Sequence, residues 1–528
     1  MEYINVDNNN EENDLGYAQG MYASLKGERE PFLDRARSSS ELTIPSLLVN
    51  EGHSSSSILP TPFQSIGAEG VNNLSSKLLL SLIPPNTPFF RLVIDDAELE
   101  NLLADQRGEA EEALSRIERM VAQEIEVRAL RVPISEALKH LIVAGNVLVY
   151  LPEKEQMRVF KLDRYVVKRD SMGNVLKIIV KETMSPLSLP DKAKYLVAEI
   201  DEDEVPKTSI DLFTCVKWTG KNWKIHQEVE GKVIPGSEGS FPKNKNPFIA
   251  LRFTHIDGED YGRGFVEEYI GDLKSLETLT KAIVEGSAAA AKILFLVRPN
   301  GTTRIKTLAD SPNGAIVSGD SQDVSTLQLQ KSADFRVAQD TIRVLSERLG
   351  RVFLMNSSVR RDAERVTAEE IRIAYQELEI ALGGVYSILS QEFQLPMVQL
   401  IMNKLKKEKK LPPFPDDSLK PMVITGVEAL GRGQDLNELS GFLQHLTALG
   451  PEVIMQELNV SEYITRLAAS LGIESNGLVK SEEEKQQEAQ ARQKQQEAMQ
   501  EQQMMSEVVT KVAPELAKGE MQSQQEQQ

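Results

Sequence analysis

Two long helical patterns, Gly264 to Leu296 and Ala333 to Phe353, stand on either side of a stretch crowded with turn residues, and few architectures accommodate that order. The first covers 33 residues, about 50 Å at 1.5 Å per residue, which is long for an ordinary globular domain. Within it Gly286-Ser287 and Ala288 to Ala291 are small enough to let a neighbouring helix come close, although the glycine weakens the helix locally. In the second, Phe335, Ala338, Ile342, Leu345 and Leu349 recur at three- and four-residue steps, with Arg336, Asp340, Arg343, Glu347 and Arg351 on the opposite face. One side is for packing and the other for solvent. Between them, Val297 to Ser332 carries Pro299-Asn300-Gly301, Pro312-Asn313-Gly314 and Gly319-Asp320, which predict a compact, turn-rich insert.

The remaining chain predicts an α+β fold, mainly helical, of roughly three structural units by length alone. A short helix is expected near Tyr17 to Ala36, with the serine clusters Ser38 to Ser40 and Ser54 to Ser57 as loops. Ile66, Val71, Leu74, Leu78 and Leu82 give a helix from Gln64 to Ile83, stopped by Pro84-Pro85-Asn86, and Asp96 to Ala129 reads as a charged surface helix. From Asn146 to Ile256 the period becomes strand-like, with hairpins at Asp170 to Asn174 and around Gly220. The second hairpin puts Trp218 and Trp223 on adjacent strands, for packing and not as a base-stacking platform.

Downstream, Thr367 to Glu370 has the form of a capping box that opens a long helix with the stripe Ile371, Tyr375, Leu378, Leu382, Val385 and Leu389. Pro396 should kink it before its basic end, Lys404 to Lys410. Leu411 to Pro421 is a proline-rich link, and Leu436 to Leu471 predicts two or three short helices broken near Gly450-Pro451. Beyond Ser481 the Gln-, Glu-, Lys- and Ala-rich tail lacks a wide apolar face and is expected to be disordered or a solvated helix.

Charge restricts function. With 60 basic and 79 acidic residues the formal net charge is -19, so any grip on nucleic acid must be local. The single cysteine, Cys215, excludes an internal disulfide and a multi-cysteine zinc site, fits a reducing compartment, and reads as a small buried side chain. Met1 to Asp14 is polar and acidic, unlike a signal peptide, and the longest apolar stretch, Leu141 to Leu151, is too short to span a bilayer.

A search for catalytic chemistry returns little. The histidines His53, His140, His226, His255 and His445 are scattered, without the spacing of a zinc hydrolase. His255 to Asp260 concentrates oxygen ligands but lacks calcium-loop spacing and reads as a turn ahead of the helix at Gly264. Gly262-Arg263-Gly264 and Gly431-Arg432-Gly433 begin like dinucleotide loops yet miss the third glycine and the preceding strand. No Walker motif and no Gly-x-Ser-x-Gly elbow occurs. The expectation is therefore a non-enzyme with no metal or cofactor. What remains is a local excess of positive charge: between Arg351 and Arg365 four arginines (Arg351, Arg360, Arg361, Arg365) face Asp362 and Glu364, net 4 - 2 = +2. Taken alone, that is a solvated loop with local ion pairs.

Three blocks of sequence carry a resemblance. They are Thr61-Pro62-Phe63-Gln64-Ser65-Ile66-Gly67-Ala68-Glu69-Gly70-Val71-Asn72-Asn73-Leu74 running on to Pro84, Gly258-Glu259-Asp260-Tyr261-Gly262-Arg263-Gly264 through Glu277, and Asp362-Ala363-Glu364-Arg365-Val366-Thr367-Ala368-Glu369-Glu370-Ile371-Arg372 followed by Glu377-Leu378-Glu379 and Leu382-Gly383-Gly384-Val385-Tyr386. Together they resemble the portal, or head-to-tail connector, proteins of short-tailed double-stranded-DNA phages, in order over roughly residues 15 to 475.

The resemblance implies a division into wing (1–260), first stem helix (261–296), clip (297–332), second stem helix (333–355), tunnel loop (356–366), a long kinked wing helix and link (367–435), crown (436–480) and the Gln-rich tail (481–528). It implies a homo-oligomeric, twelve-fold ring at one capsid vertex of the virion, made in the bacterial host cytoplasm and not tied to a membrane. Double-stranded DNA would pass through it. The partners implied are the large terminase subunit, the tail adaptor, the major capsid and scaffolding proteins, and the internal core or ejection proteins. Arg360, Arg361 and Arg365 would meet phosphates transiently. Arg336, Arg343 and Arg351 would line the bore or pair with Asp340 and Glu347, and Arg298, Arg304 and Lys306 in the clip would touch partners. A tail-adaptor or internal shaft protein is the rival reading, disfavoured by the long wing block and the helix-clip-helix order.

Overall fold

A computed structural model describes residues 17–50, 57–85, 89–93, 104–197, 209–290, 294–327, 332–355, 384–411, 422–425 and 432–447, with single positions at 380, 382, 450, 458, 460, 463, 464, 467, 468, 491, 494 and 499. Helix α1 (Tyr17–Glu41) outruns the helix expected to stop at Ala36, because Ser38, Ser39 and Ser40 continue it. The serines do not form a loop; they finish the helix. The Thr43 hydroxyl donates to the Ser39 carbonyl at 2.7 Å and the Ser40 hydroxyl to the Ile44 carbonyl at 2.7 Å, local bonds that divert the backbone into a turn.

Helix α2 (Ile66–Leu82) buries Val71, Leu74, Leu78 and Leu82, the stripe its spacing predicts, and stops short of Pro84. Strand β1 (Phe90–Val93) follows, then α3 (Ala104–Val127), which is charged but turns Ile117, Val121 and Ile125 inward. Helix α4 (Arg131–Ala144) ends on Gly145 at φ 71°, a left-handed cap. A side chain there would also collide with the Arg263 backbone, since an ideal Cβ would sit 2.3 Å from its carbonyl carbon.

The strand-like region forms two antiparallel sheets. Strands β2 (Asn146–Tyr150) and β3 (Arg158–Phe160) join β10 (Phe248–Arg252) in the order β10-β2-β3. Strands β4 (Tyr165–Arg169), β5 (Val175–Met184), β6 (Ile210–Trp218), β7 (Asn222–Val229) and β8 (Lys232–Val233) make a meander, with β9 (Gly239–Pro242) on β7. Both expected hairpins are present. Gly173 turns the first at φ 83° while the Asp170 carboxylate accepts the amides of Met172 and Asn174, and Trp218 faces Trp223 in the second with ring centroids 5.3 Å apart. Ala18, Tyr22 and Leu25 of α1 pack on Val166, Ile179, Phe213 and the buried Cys215 on one sheet face. Leu33 and Ala36 join the core that Leu148, Phe160, Tyr165, Ile178 and Val216 form on the other side.

The first of the two long helices is shorter than its periodicity suggests, while the second has the expected length. Helix α5 (Ile270–Ala290) is followed by strand β11 (Leu294–Val297), short helix α6 (Ile305–Asp310), strand β12 (Val324–Leu327) and helix α7 (Ser332–Val352). Helix was expected as far as Leu296. Instead Leu294-Phe295-Leu296-Val297 pairs antiparallel with Leu327 to Val324. A short apolar run reads equally well as helix or strand, and here a partner strand was available.

Gly286 of α5 lies under Phe335 of α7, where a Cβ would approach the ring to 2.9 Å, so the glycine does admit a neighbouring helix. Beyond residue 384, α8 (Val385–Leu389) passes through one wide π turn, Ser390–Gln394, into α9 (Leu395–Lys407). The distortion expected from Pro396 takes that form, with the proline in the first turn of α9, where its missing N–H is tolerated. Strand β13 (Met422–Thr425) pairs with β1. By internal contacts the chain forms two units, 1–102 with 116–430 and 103–115 with 431–528. In the second, α10 (Arg432–Thr447) accepts a hydrogen bond at its Leu439 carbonyl from the Tyr463 hydroxyl, 3.2 Å away.

Candidate functional site

Helix α7 carries three of the arginines singled out from sequence. Arg336, Arg343 and Arg351 are exposed. Their seven- and eight-residue steps place them within roughly 80° of one another around a helix of 3.6 residues per turn. Arg343 pairs with Glu347 at 3.5 Å, both side chains more than half exposed, a geometry worth little in stability and easily exchanged for a phosphate. The packing face of α7 buries Leu345, Leu349 and Phe353. An ion pair that periodicity could not show, Arg348 to Asp272, ties α7 to α5. Arg360, Arg361 and Arg365, with the capping pattern Thr367 to Glu370, lie outside the described residues.

The insert between the helices is organised around one carboxylate. Asp323 Oδ2 accepts the amides of Thr302 at 2.7 Å and Thr303 at 3.1 Å and both threonine hydroxyls at 3.2 Å. Desolvation alone would raise this carboxyl, but those donors outweigh it and hold it below the ordinary range. Gly301 leaves the carboxylate room, since a Cβ there would come 2.4 Å from its carbon. The Arg298 amide donates to the Asp323 carbonyl at 3.0 Å. Arg298, Arg304 and Lys306 are all exposed on this lobe, Arg304 as the residue before α6 and Lys306 in its first turn. Their charges are thus displayed by a braced scaffold.

Helix α2 brings two of the family-like blocks together. The Glu277 carboxylate of α5 accepts the amides of Phe63 at 3.0 Å and Gln64 at 3.2 Å. Gly70 faces the Phe353 ring so closely that a Cβ would be 2.5 Å from its Cγ. Asn73 Nδ2 donates to the carbonyls of Phe353 at 2.8 Å and Leu354 at 3.0 Å. None of these three roles was legible in sequence, because each depends on a partner some 200 residues or more away.

The lookalike motifs have structural roles. Asn146 and Gly262 bond reciprocally at 2.8 Å, and a Cβ on Gly264 would come 2.5 Å from the Val143 carbonyl oxygen, so Gly262-Arg263-Gly264 threads past the end of α4. In the acidic turn, Asp260 accepts the Arg169 amide at 2.7 Å and Lys168 Nζ at 2.9 Å. Burial, then the neighbouring Arg252, lowers Arg169 to about 10. His255 Nε2 meets Glu392 of the π turn at 3.0 Å. Burial and the arginines depress His255, against the pull of Glu392. This cluster joins sheet to helix and offers no vacant ligand set.

The family model described as bacteriophage head to tail connecting protein matches residues 16–479. A portal protein of Escherichia phage T7 is 41% identical over 479 residues, covering 89% of each chain. One from Enterobacteria phage SP6 is 34% identical over 95% of this chain and 96% of that one, and one from Pseudomonas phage phiKMV is 30% identical over 86% and 90%. Among solved structures, the neck of the native GTA particle computed with C12 symmetry aligns at a TM-score of 0.32 and 10% identity, over 71% of this chain and 85% of that one, a likeness too loose to bear on how this chain assembles.

Proposed function

The chain belongs to the bacteriophage head to tail connecting protein family, and on that footing we propose that copies of it close into a ring at one capsid vertex through which double-stranded DNA enters and leaves. It is a portal-type connector subunit, a structural component of the virion. In this reading α5 and α7 are the stem, the β11–β12 lobe is the clip, residues 356–366 are the tunnel loop, the helices from 436 are the crown, and the sheets with α1 to α4 make up the wing. The observation that supports the channel reading most is the row of Arg336, Arg343 and Arg351 along one exposed side of α7, in a chain of net charge -19.

Weak contact is what transport requires. Each phosphate neutralised contributes about -0.9 to the salt slope of binding, so a bore whose arginines were all engaged would hold the duplex in place. A mostly acidic wall with a few exchangeable arginines lets it slide. Arg360, Arg361 and Arg365 meet phosphates transiently. Arg298, Arg304 and Lys306 face the terminase during packaging and the tail adaptor afterwards; the wing and crown meet capsid, scaffolding and internal core proteins. The rival, a tail-adaptor or shaft protein, does not account for a family match that runs from residue 16 to 479.

Replacing Arg360, Arg361 and Arg365 together by alanine should leave rings intact while changing either the amount of DNA packaged or its retention. Normal packaging together with normal retention in that variant removes the DNA-facing role of the segment.

A further inference from the structure

The segment that holds Arg360, Arg361 and Arg365 begins where α7 ends, and α7 ends in an unusual way. The Met355 amide bonds back to the Gly350 carbonyl at 2.8 Å and the Leu354 amide to the Arg351 carbonyl at 3.1 Å. This is the paired-bond helix stop that normally carries glycine at its left-handed position. Here that position is Leu354, at φ 53°, a conformation in which a leucine Cβ crowds its own backbone. Something must hold it.

Asn73 does. Its amide group donates to the Phe353 carbonyl at 2.8 Å and to the Leu354 carbonyl at 3.0 Å, the two peptide groups on either side of the Leu354 Cα. Fixing the first restrains φ of Leu354 and fixing the second restrains ψ. Gly70, one turn earlier on α2, sets the distance by letting the Phe353 ring lie against the helix backbone.

Described residues downstream of that segment bond to the same helix. The Tyr386 hydroxyl donates to the Ser81 carbonyl at 3.1 Å and the Gln394 amide to that of Leu82, which are last-turn carbonyls without helical donors. Asn73 and Ser81 are eight residues apart on α2, about 12 Å at 1.5 Å per residue. The described residues on either side of that segment, Phe353 with Leu354 and Tyr386 with Gln394, are therefore anchored to two points on one helix.

We infer that Asn73 is a positioning residue for the arginine-bearing segment: by clamping the left-handed exit at Leu354 it sets the direction in which the chain leaves α7. The link to DNA rests on the channel reading above; the clamp itself does not.

The test uses full-length Asn73→Ala, Leu354→Gly and the double variant, each checked for ring assembly, then compared in thermal unfolding and in DNA packaged per capsid. Glycine takes positive φ without help, so the drop in melting temperature caused by Asn73→Ala should shrink in the Leu354→Gly background. A drop of the same size in both backgrounds overturns the clamp, since it would mean that Asn73 only braces α2. The population of the clamped exit should fall about 5- to 30-fold in Asn73→Ala, the effect of losing one or two bonds to backbone carbonyls; the DNA packaged per capsid should drop with it and recover in the double variant. Coupled unfolding with unchanged packaging upholds the clamp and overturns the DNA-facing reading of the segment. Should Asn73→Ala give no rings, Asn73→Ser, whose hydroxyl reaches one carbonyl at most, takes its place in the unfolding comparison.

Discussion

His140 sits in α4 with no exposed surface, and among the described residues neither ring nitrogen has a hydrogen-bond partner; the Glu136 carboxylate stands 3.9 Å from Nε2. Burial, reinforced by Lys161, lowers it from 6.5 to about 4. The unfolded chain takes up this proton near pH 6.5, while the folded chain resists it until about pH 4, so acid pulls the equilibrium toward unfolding within that window. A shift of this size corresponds to about 3 kcal/mol. His140→Leu should therefore flatten the acid limb: between pH 7 and pH 4.5 its melting temperature should fall less than that of the parent chain. Equal falls would place the acid sensitivity elsewhere. A histidine in the apolar run His140 to Val143 could be expected to be buried from sequence alone. That nothing answers its nitrogens could not, because α1, β3 and α4 meet only in the fold.

Among the elements, α2 carries more than its length suggests, and its glycine is the sharpest probe. Gly70→Ala should destabilise the chain by about 1–3 kcal/mol, because the new methyl would fall within 2.9 Å of three atoms of Phe353 and overpacking a filled contact costs that much. Gly20→Ala in α1, where nothing lies within 4 Å of the added methyl, should instead stabilise by about 0.4–1 kcal/mol. Thermal unfolding of the two variants checks both signs. How legible these elements were in the sequence depends on the same division between local and distant. Helix periodicity found α2 and α7 to within a residue or two, and the Gly286 approach was readable from its small neighbours. The end of α5 was not, since Leu294 to Val297 became strand only because Val324 to Leu327 lay across from it. Ser38 to Ser40 were misread as loop because serine's preference for turns is also a preference for helix ends. Asp323, Glu277 and Asn73 gave no local signal at all.

In the whole molecule, an acidic chain with a short row of exposed arginines is proposed to form the wall of a DNA conduit. A conduit made of identical copies requires them to meet through unlike faces and close on themselves; unlike faces that fail to close give an open filament. No helix among the described residues is long and apolar enough to cross a membrane, and the family match runs from residue 16 to residue 479. Negative-stain electron microscopy of the purified full-length chain decides the matter in one experiment. Closed rings are expected, with a central hole wide enough for a DNA duplex. Monomers, or filaments that never close, would contradict the conduit.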